Sequence, residues 1–136
     1  MKIKRLAHIG VAVKDLAEVG KVYTEFLPLE ITSQDTVGEL LTGFIPVGDT
    51  SIELVQSTTP DGVIAKYIDK KGEGVHHLAF EVEDIEGAMA ELKAKGVPLT
   101  SEEPRPGAHG CRVVFLHPKA TRGVLIELVE YPEGHH

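Results

Sequence analysis

The sequence predicts an α+β fold made of two βαβββ modules related by internal duplication, with curved mixed sheets closing around a cleft. The first observation behind this is a repeat. Residues 6–16 read Leu-Ala-His-Ile-Gly-Val-Ala-Val-Lys-Asp-Leu, and residues 75–85 read Val-His-His-Leu-Ala-Phe-Glu-Val-Glu-Asp-Ile, so that His8 falls on His77, Val13 on Val82 and Asp15 on Asp84. Further on, Ser51-Ile52-Glu53-Leu54-Val55 matches Leu125-Ile126-Glu127-Leu128-Val129. The second observation is that each copy runs through the same order of strand-like and helix-like periodicities. The third is size. At 136 residues the whole chain makes one domain, whereas a single copy would bury too little apolar surface to stand alone.

Each element has a local reason. The opening segment of each copy is short, apolar and β-rich, and ends at an Asp suited to capping a helix. Asp15 with Glu18 resembles a capping box, after which Leu16, Val19, Tyr23, Phe26 and Leu27 share one helical face until Pro28 stops the run. In the second copy Ile85, Ala88, Met89 and Leu92 form the stripe, and Gly96 stands where a helix-ending glycine belongs. Three β-like runs follow each helix, near 29–34, 38–47 and 50–57, then near 97–101, 111–117 and 123–131. Gly48-Asp49 is the expected hairpin turn. The expected organisation is therefore a first module at 1–57, a connecting segment at 58–74 with a short helix from Val63 to Ile68, and a second module at 75–132. Residues 133–136, ending in His135 and His136, read as the start of a purification tag and are left out of any metal argument.

Composition narrows the function classes. A net charge of −7 argues against nucleic acid, whose phosphates call for a positive field. No apolar run approaches the ~20 residues that span a bilayer. The single Cys111 leaves no internal disulfide and suits a reducing compartment, so the expected location is the cytoplasm.

The chemistry is read from four polar residues in apolar strands. His8, Glu53, His77 and Glu127 each interrupt a run of Leu, Ile, Ala or Phe. Any one of them alone would ordinarily face solvent or sit in a hydrogen bond. Two glutamates at equivalent repeat positions are another matter, because an unpaired buried carboxylate costs several kcal/mol. A divalent cation held by two imidazoles and two carboxylates supplies the common partner, and these donors suit Zn²⁺, Co²⁺, Ni²⁺, Mn²⁺ or Fe²⁺. His76 competes with His77; the repeat alignment selects His77, and strand alternation turns His76 to the opposite face. His109 reads as a surface loop residue and Cys111 as structural. Lys66, Lys70, Lys71, Lys119 and Arg122 are solvated cations that could also meet an anionic substrate.

The repeated pattern His…Glu…His…Glu resembles the vicinal-oxygen-chelate superfamily, which includes glyoxalase I and ring-cleaving dioxygenases. The finer resemblance, from Ile3 to about Tyr131, is to the methylmalonyl-CoA epimerases. It is carried by His8-Ile9-Gly10-Val11-Ala12-Val13, Gly72-Glu73-Gly74-Val75-His76-His77, His117-Pro118-Lys119 and Gly123-Val124-Leu125-Ile126-Glu127-Leu128. Glyoxalase I has Asp-Pro-Asp-Gly in the region of His117. The resemblance implies a glyoxalase-like fold and inversion of methylmalonyl-CoA at its α-carbon through a metal-stabilised enolate. It implies metal ligands at His8, Glu53, His77 and Glu127, the second often being Gln in the family. The ion it implies is Co²⁺ first, with Mn²⁺, Ni²⁺ and Zn²⁺ as alternatives. It further implies an acyl-CoA partner and a homodimer. One proton carrier maps onto Glu127 and the opposite one onto Glu39. Here the chain departs from the family, which often has Pro-Glu-Gln-Gly-Val where this sequence reads Ser33-Gln34-Asp35-Thr36-Val37-Gly38, and a shifted alignment would move that role to Asp35 or to no side chain at all. The competing expectations are a glyoxalase I-like lyase acting on a hemithioacetal and a non-catalytic binding protein of the same fold.

Overall fold

The computed structural model describes residues 1–133; Gly134, His135 and His136, the bulk of the expected tag remnant, lie outside the described residues. The elements in chain order are β1 (Ile3–Ala12), α1 (Leu16–Lys21) continued by a π-helical turn (Val22–Phe26), β2 (Ser33–Val37), β3 (Leu40–Val47) and β4 (Thr50–Ser57). Then come α2 (Val63–Lys71), β5 (Gly74–Val82), α3 (Ile85–Ala94), β6 (Arg105–Pro106), a 3₁₀ turn (Ala108–Gly110), β7 (Arg112–Phe115) and β8 (Ile126–Glu130). By compactness the chain divides into one unit of residues 8–76 and a second of residues 1–7 with 77–136. The second half of β1 and the helix-bearing segment 58–74 thus belong to the first unit.

In the unit of residues 8–76 the strands follow the order β2-β3-β4-β1. β2, β3 and β4 are antiparallel neighbours, and β4 returns parallel to β1 with Gly10 opposite Glu53. Asp15 caps α1 by accepting from the Glu18 backbone N–H at 3.2 Å, as the sequence predicts. The Glu18 side chain pairs with Lys21 at 3.2 Å instead of reaching back to complete the box. The helix is shorter than its apolar stripe suggests. The π turn at 22–26 adds a residue to the register, so Phe26 is 76% exposed and Leu27 is also turned out, while Leu16, Val19 and Tyr23 still pack on Ile45 and Leu54. Gly43 lies close beneath α1: a Cβ there would stand 3.2 Å from the Leu16 side chain, which would have to give by a few tenths of an ångström. On the opposite face of the sheet α2 packs through Ile64 and Ile68 against Ala12 and Val55. That helix runs three residues past its expected end and stops at Gly72, whose φ of 82° few other residues adopt.

In the other unit the order is β1-β5-β8-β7-β6, β8 running parallel to β5 with Ala79 opposite Glu127. Asp84 caps α3 by accepting from the Gly87 backbone N–H, and Ile85, Ala88, Met89 and Leu92 bury the predicted stripe against Val82, Val114 and Leu128. The outer strand is where this unit departs from expectation. In place of a strand at 97–101 there is a single bridge from Leu99 to Leu116 and the two-residue β6. Pro98, Pro104 and Pro106 each lack the N–H that a ladder needs. The last strand begins at Ile126 rather than 123, because Arg122 and Gly123, with φ of 57° and 93°, form a turn.

Candidate metal and proton-transfer site

Each unit carries one buried His–Glu pair, and the two are built alike. On β1 and β4, His8 Nε2 stands 3.3 Å from Glu53 Oε1; on β5 and β8, His77 Nε2 stands 3.1 Å from Glu127 Oε1. His8, Glu53, His77 and Glu127 are 4%, 7%, 5% and 6% exposed, so all four expected ligands are inside and not on a solvated face. An aromatic ring supports each imidazole edge-on. Phe44 lies 5.9 Å from His8 with the planes at 86°, and Phe115 lies 5.8 Å from His77 at 82°. The registers explain the match: Phe44 is directly opposite Glu53, and Phe115 directly opposite Glu127. Side chains directly opposite one another share a face of the sheet, so each aromatic holds its histidine beside the carboxylate.

These donors fit a divalent ion. A neutral imidazole nitrogen and a carboxylate oxygen are hard-to-borderline ligands, and His8, His77 and Glu127 each present such an atom from a buried side chain. Two carboxylates taken out of water gain strongly from a cation beside them. His76 is set apart by alternation: it turns to the face opposite that of its neighbour His77, and its ring packs edge-on to Tyr67 of α2 at 4.6 Å.

The two acids considered as second proton carrier are differently placed. Glu39 sits with Gly38 in the two-residue turn between β2 and β3, not in a strand. Its Oε1 accepts from the Val63 backbone N–H at 3.2 Å and from Ser57 Oγ at 3.5 Å, at the start of α2. Asp35 is on β2, directly opposite Thr42, and its Oδ1 accepts from the Thr36 N–H at 2.9 Å.

Two residues matter here that sequence reading passed over. Thr42 is 3% exposed and lies on the same face of β3 as Phe44. Glu81 is buried on β5 and satisfied by Arg5 at 2.6 Å and Lys4 at 3.4 Å, a structural pair within its unit. The signal for Phe44 and Phe115 was present in the repeat, as an aromatic preceding each Glu strand. Among the remaining cations, Lys66, Lys70, Lys71, Lys119 and Arg122 are all exposed. His109 is exposed at φ 60°, and Cys111 is buried with Ala7, Ala79 and Val129.

Comparison with known proteins agrees with this geometry. Residues 7–115 match the model of the Glyoxalase/Bleomycin resistance protein/Dioxygenase superfamily. The chain is 41% identical over 130 residues to the ethylmalonyl-CoA/methylmalonyl-CoA epimerase of Cereibacter sphaeroides, covering 93% of this chain and 97% of that one. It is 38% identical over 127 residues to the mitochondrial methylmalonyl-CoA epimerase of Homo sapiens, covering 91% and 72%. A variant of the Streptomyces coelicolor methylmalonyl-CoA epimerase, solved in complex with 2-nitronate-propionyl-CoA, superposes with a TM-score of 0.89 at 33% identity, covering 96% and 99%. The duplicated order of elements, the twin His–Glu pairs and these likenesses together show that the chain belongs to the methylmalonyl-CoA epimerase family of the glyoxalase superfamily.

Proposed function

We propose that the chain interconverts the 2R and 2S forms of methylmalonyl-CoA by removing the α-proton and returning one to the opposite face. The observation that carries this reading is the twin buried His–Glu pair in a chain whose relatives are epimerases of such thioesters. A divalent ion, Co²⁺ first and Mn²⁺, Ni²⁺ or Zn²⁺ otherwise, would be held by His8, Glu53, His77 and Glu127. When bound, such an ion supplies Lewis acidity at the oxygen where the enolate charge develops.

The remaining chemistry belongs to the chain. The α-hydrogen lies between a thioester carbonyl and a carboxylate, so its loss gives a delocalised carbanion. Glu127, buried beside His77, takes that proton on one face. Inversion requires a second acid on the other face, drawn from Glu39 or Asp35. Phe44 and Phe115 hold the imidazoles and keep water off the pairs. The exposed cations Lys66, Lys70, Lys119 and Arg122 are available to the phosphates of a CoA tail. We also propose a cytoplasmic homodimer; among the described residues no helix is long and apolar enough to cross a membrane.

The test is turnover of a single isomer of methylmalonyl-CoA, run beside methylglyoxal with glutathione. Appearance of the other isomer with no turnover of the hemithioacetal supports the epimerase. The reverse pattern replaces it with a glyoxalase I-like lyase.

A further inference from the structure

We infer that Ser57 and Gly62 are positioning residues for proton transfer, because together with the start of α2 they hold the Glu39 carboxylate in one place. Both act through Glu39, so their role rests on the epimerase reading with Glu39 as the acid on the second face. All of these residues lie within the unit of residues 8–76.

The start of α2 is capped from outside the helix. Its N-cap residue is Gly62, which has no side chain to offer, so the orphan N–H groups of the first turn need partners from elsewhere. Ser57, at the end of β4, accepts from the Ile64 N–H at 3.0 Å and from the Ala65 N–H at 3.1 Å through its one hydroxyl oxygen. Glu39 Oε1, from the β2–β3 turn, accepts from the Val63 N–H at 3.2 Å. The Lys66 N–H then closes the first helical turn on the Gly62 carbonyl at 3.0 Å. Every leading donor of α2 is thus satisfied, and no side chain of the helix itself takes part.

The same contacts fix the carboxylate. With two N–H groups bound to Ser57 Oγ, the hydroxyl proton is left to point at Glu39 Oε1, 3.5 Å away. That contact is long, but a hydroxyl accepting two N–H bonds is polarised into a better donor. The backbone of Glu39 is pinned as well, its carbonyl accepting from the Thr58 N–H at 2.8 Å and from Thr58 Oγ1 at 2.7 Å. Oε1 is therefore committed to the helix and to Ser57. The buried Oε2 has no hydrogen-bond partner among the described residues, which leaves its lone pairs for a proton. A carboxylate oxygen buried without a donor costs stability, as is expected of a group kept for chemistry.

Gly62 is needed for the space it leaves and not for its backbone. Its φ of −68° and ψ of 164° are open to any residue. A Cβ there would nevertheless overlap Glu39 Oε2 and Ser57 Oγ and stand 2.7 Å from Ser57 Cβ. The carboxylate, at the far end of a flexible side chain, is what gives way. A methyl group at this position turns Glu39 aside while leaving the helix a residue its geometry accepts.

The experiment follows each single isomer of methylmalonyl-CoA in D₂O, reading α-deuterium by NMR and inversion by chiral analysis. It compares wild type with Ser57→Ala, Ser57→Thr, Gly62→Ala and Glu39→Gln. Ser57→Ala is expected to lose about tenfold in kcat for inversion with KM little changed, and Gly62→Ala about 100-fold, the scale of a group displaced by roughly an ångström. In both, exchange of the α-proton of one isomer should outlast inversion, because the other acid still works. Ser57→Thr keeps the hydroxyl and is expected to invert within about threefold of wild type. A role in the fold alone would lower exchange and inversion in the same proportion; that result, or wild-type inversion by Ser57→Ala and Gly62→Ala, would overturn the assignment. Wild-type inversion by Glu39→Gln would overturn it too, while leaving the epimerase reading in place. A wild type that neither exchanges nor inverts either isomer would instead overturn the epimerase reading, and the assignment with it.

Discussion

In residues 8–76 the strand after the first helix pairs with its neighbour along five residues, Ser33 to Val37 against Phe44 to Leu40. In the other unit the corresponding stretch is reduced to Arg105–Pro106 and a lone bridge at Leu99. Yet the innermost strands of the two units keep one register, Gly10 opposite Glu53 and Ala79 opposite Glu127, each with a phenylalanine across the antiparallel side. The copies are alike around the His–Glu pairs and unlike at the edge. On the proposed function the difference has a chemical sense: ligation by equivalent donors would tolerate symmetry, while proton transfer to one face and from the other would not require the two copies to supply their acids from the same strand.

The largest expected effect sets the two glutamates apart. On the proposed mechanism, Glu127→Gln should lower kcat/KM by about 10³-fold or more, because it would remove a ligand and a proton carrier together. Glu53→Gln leaves an oxygen donor in place and touches no proton, so a loss of only about tenfold is expected. Equal losses in steady-state kinetics would break the comparison by making the copies functionally the same.

A second pair sharpens it on the stability side. Leu54→Ala and Leu128→Ala remove matched, buried side chains from the two cores, and each should cost about 2–5 kcal/mol in denaturant unfolding. The matched caps come next. Asp15→Ala and Asp84→Ala should each cost about 1 kcal/mol, and a null result for either would mean that its helix is held by packing alone.

The smallest effect belongs to one unit only. The carboxyl of Glu91 is held below its ordinary range, first by the hydrogen bond from the Met1 ammonium at 2.9 Å and then by the charges of that group and Lys95. A depressed carboxyl contributes stability above its unfolded pKa, which is lost as the pH falls through the folded value. Glu91→Gln should therefore flatten the acid limb of a Tm-against-pH curve slightly, the pair being exposed. An unchanged acid limb would remove Glu91 from the account.

Much of this was legible in the residues. The duplication, the caps Asp15 and Asp84, the α3 stripe, the Gly48-Asp49 turn and the four His and Glu positions follow from short-range patterns that periodicity and repetition record directly. What was not legible depends on non-local pairing. The π turn that expels Phe26 leaves the 3.6 period intact in the sequence. The loss of a strand at 97–101 needed the prolines to be weighed against β-like Val97 and Leu99. The placement of Glu39 in the turn between β2 and β3, and not in a strand at 38–47, depends on where β2 ends its pairing with β3 at Val37 and Leu40.

The most direct test of the central claim is inversion of single-isomer methylmalonyl-CoA in D₂O, with protein stripped of metal and with Co²⁺ or Mn²⁺ restored. Inversion that returns with the ion and carries deuterium to the α-carbon is the predicted result. Inversion at full rate by the stripped protein would contradict the role given to the His–Glu pairs, and absence of both inversion and exchange with the ion restored would contradict the epimerase itself.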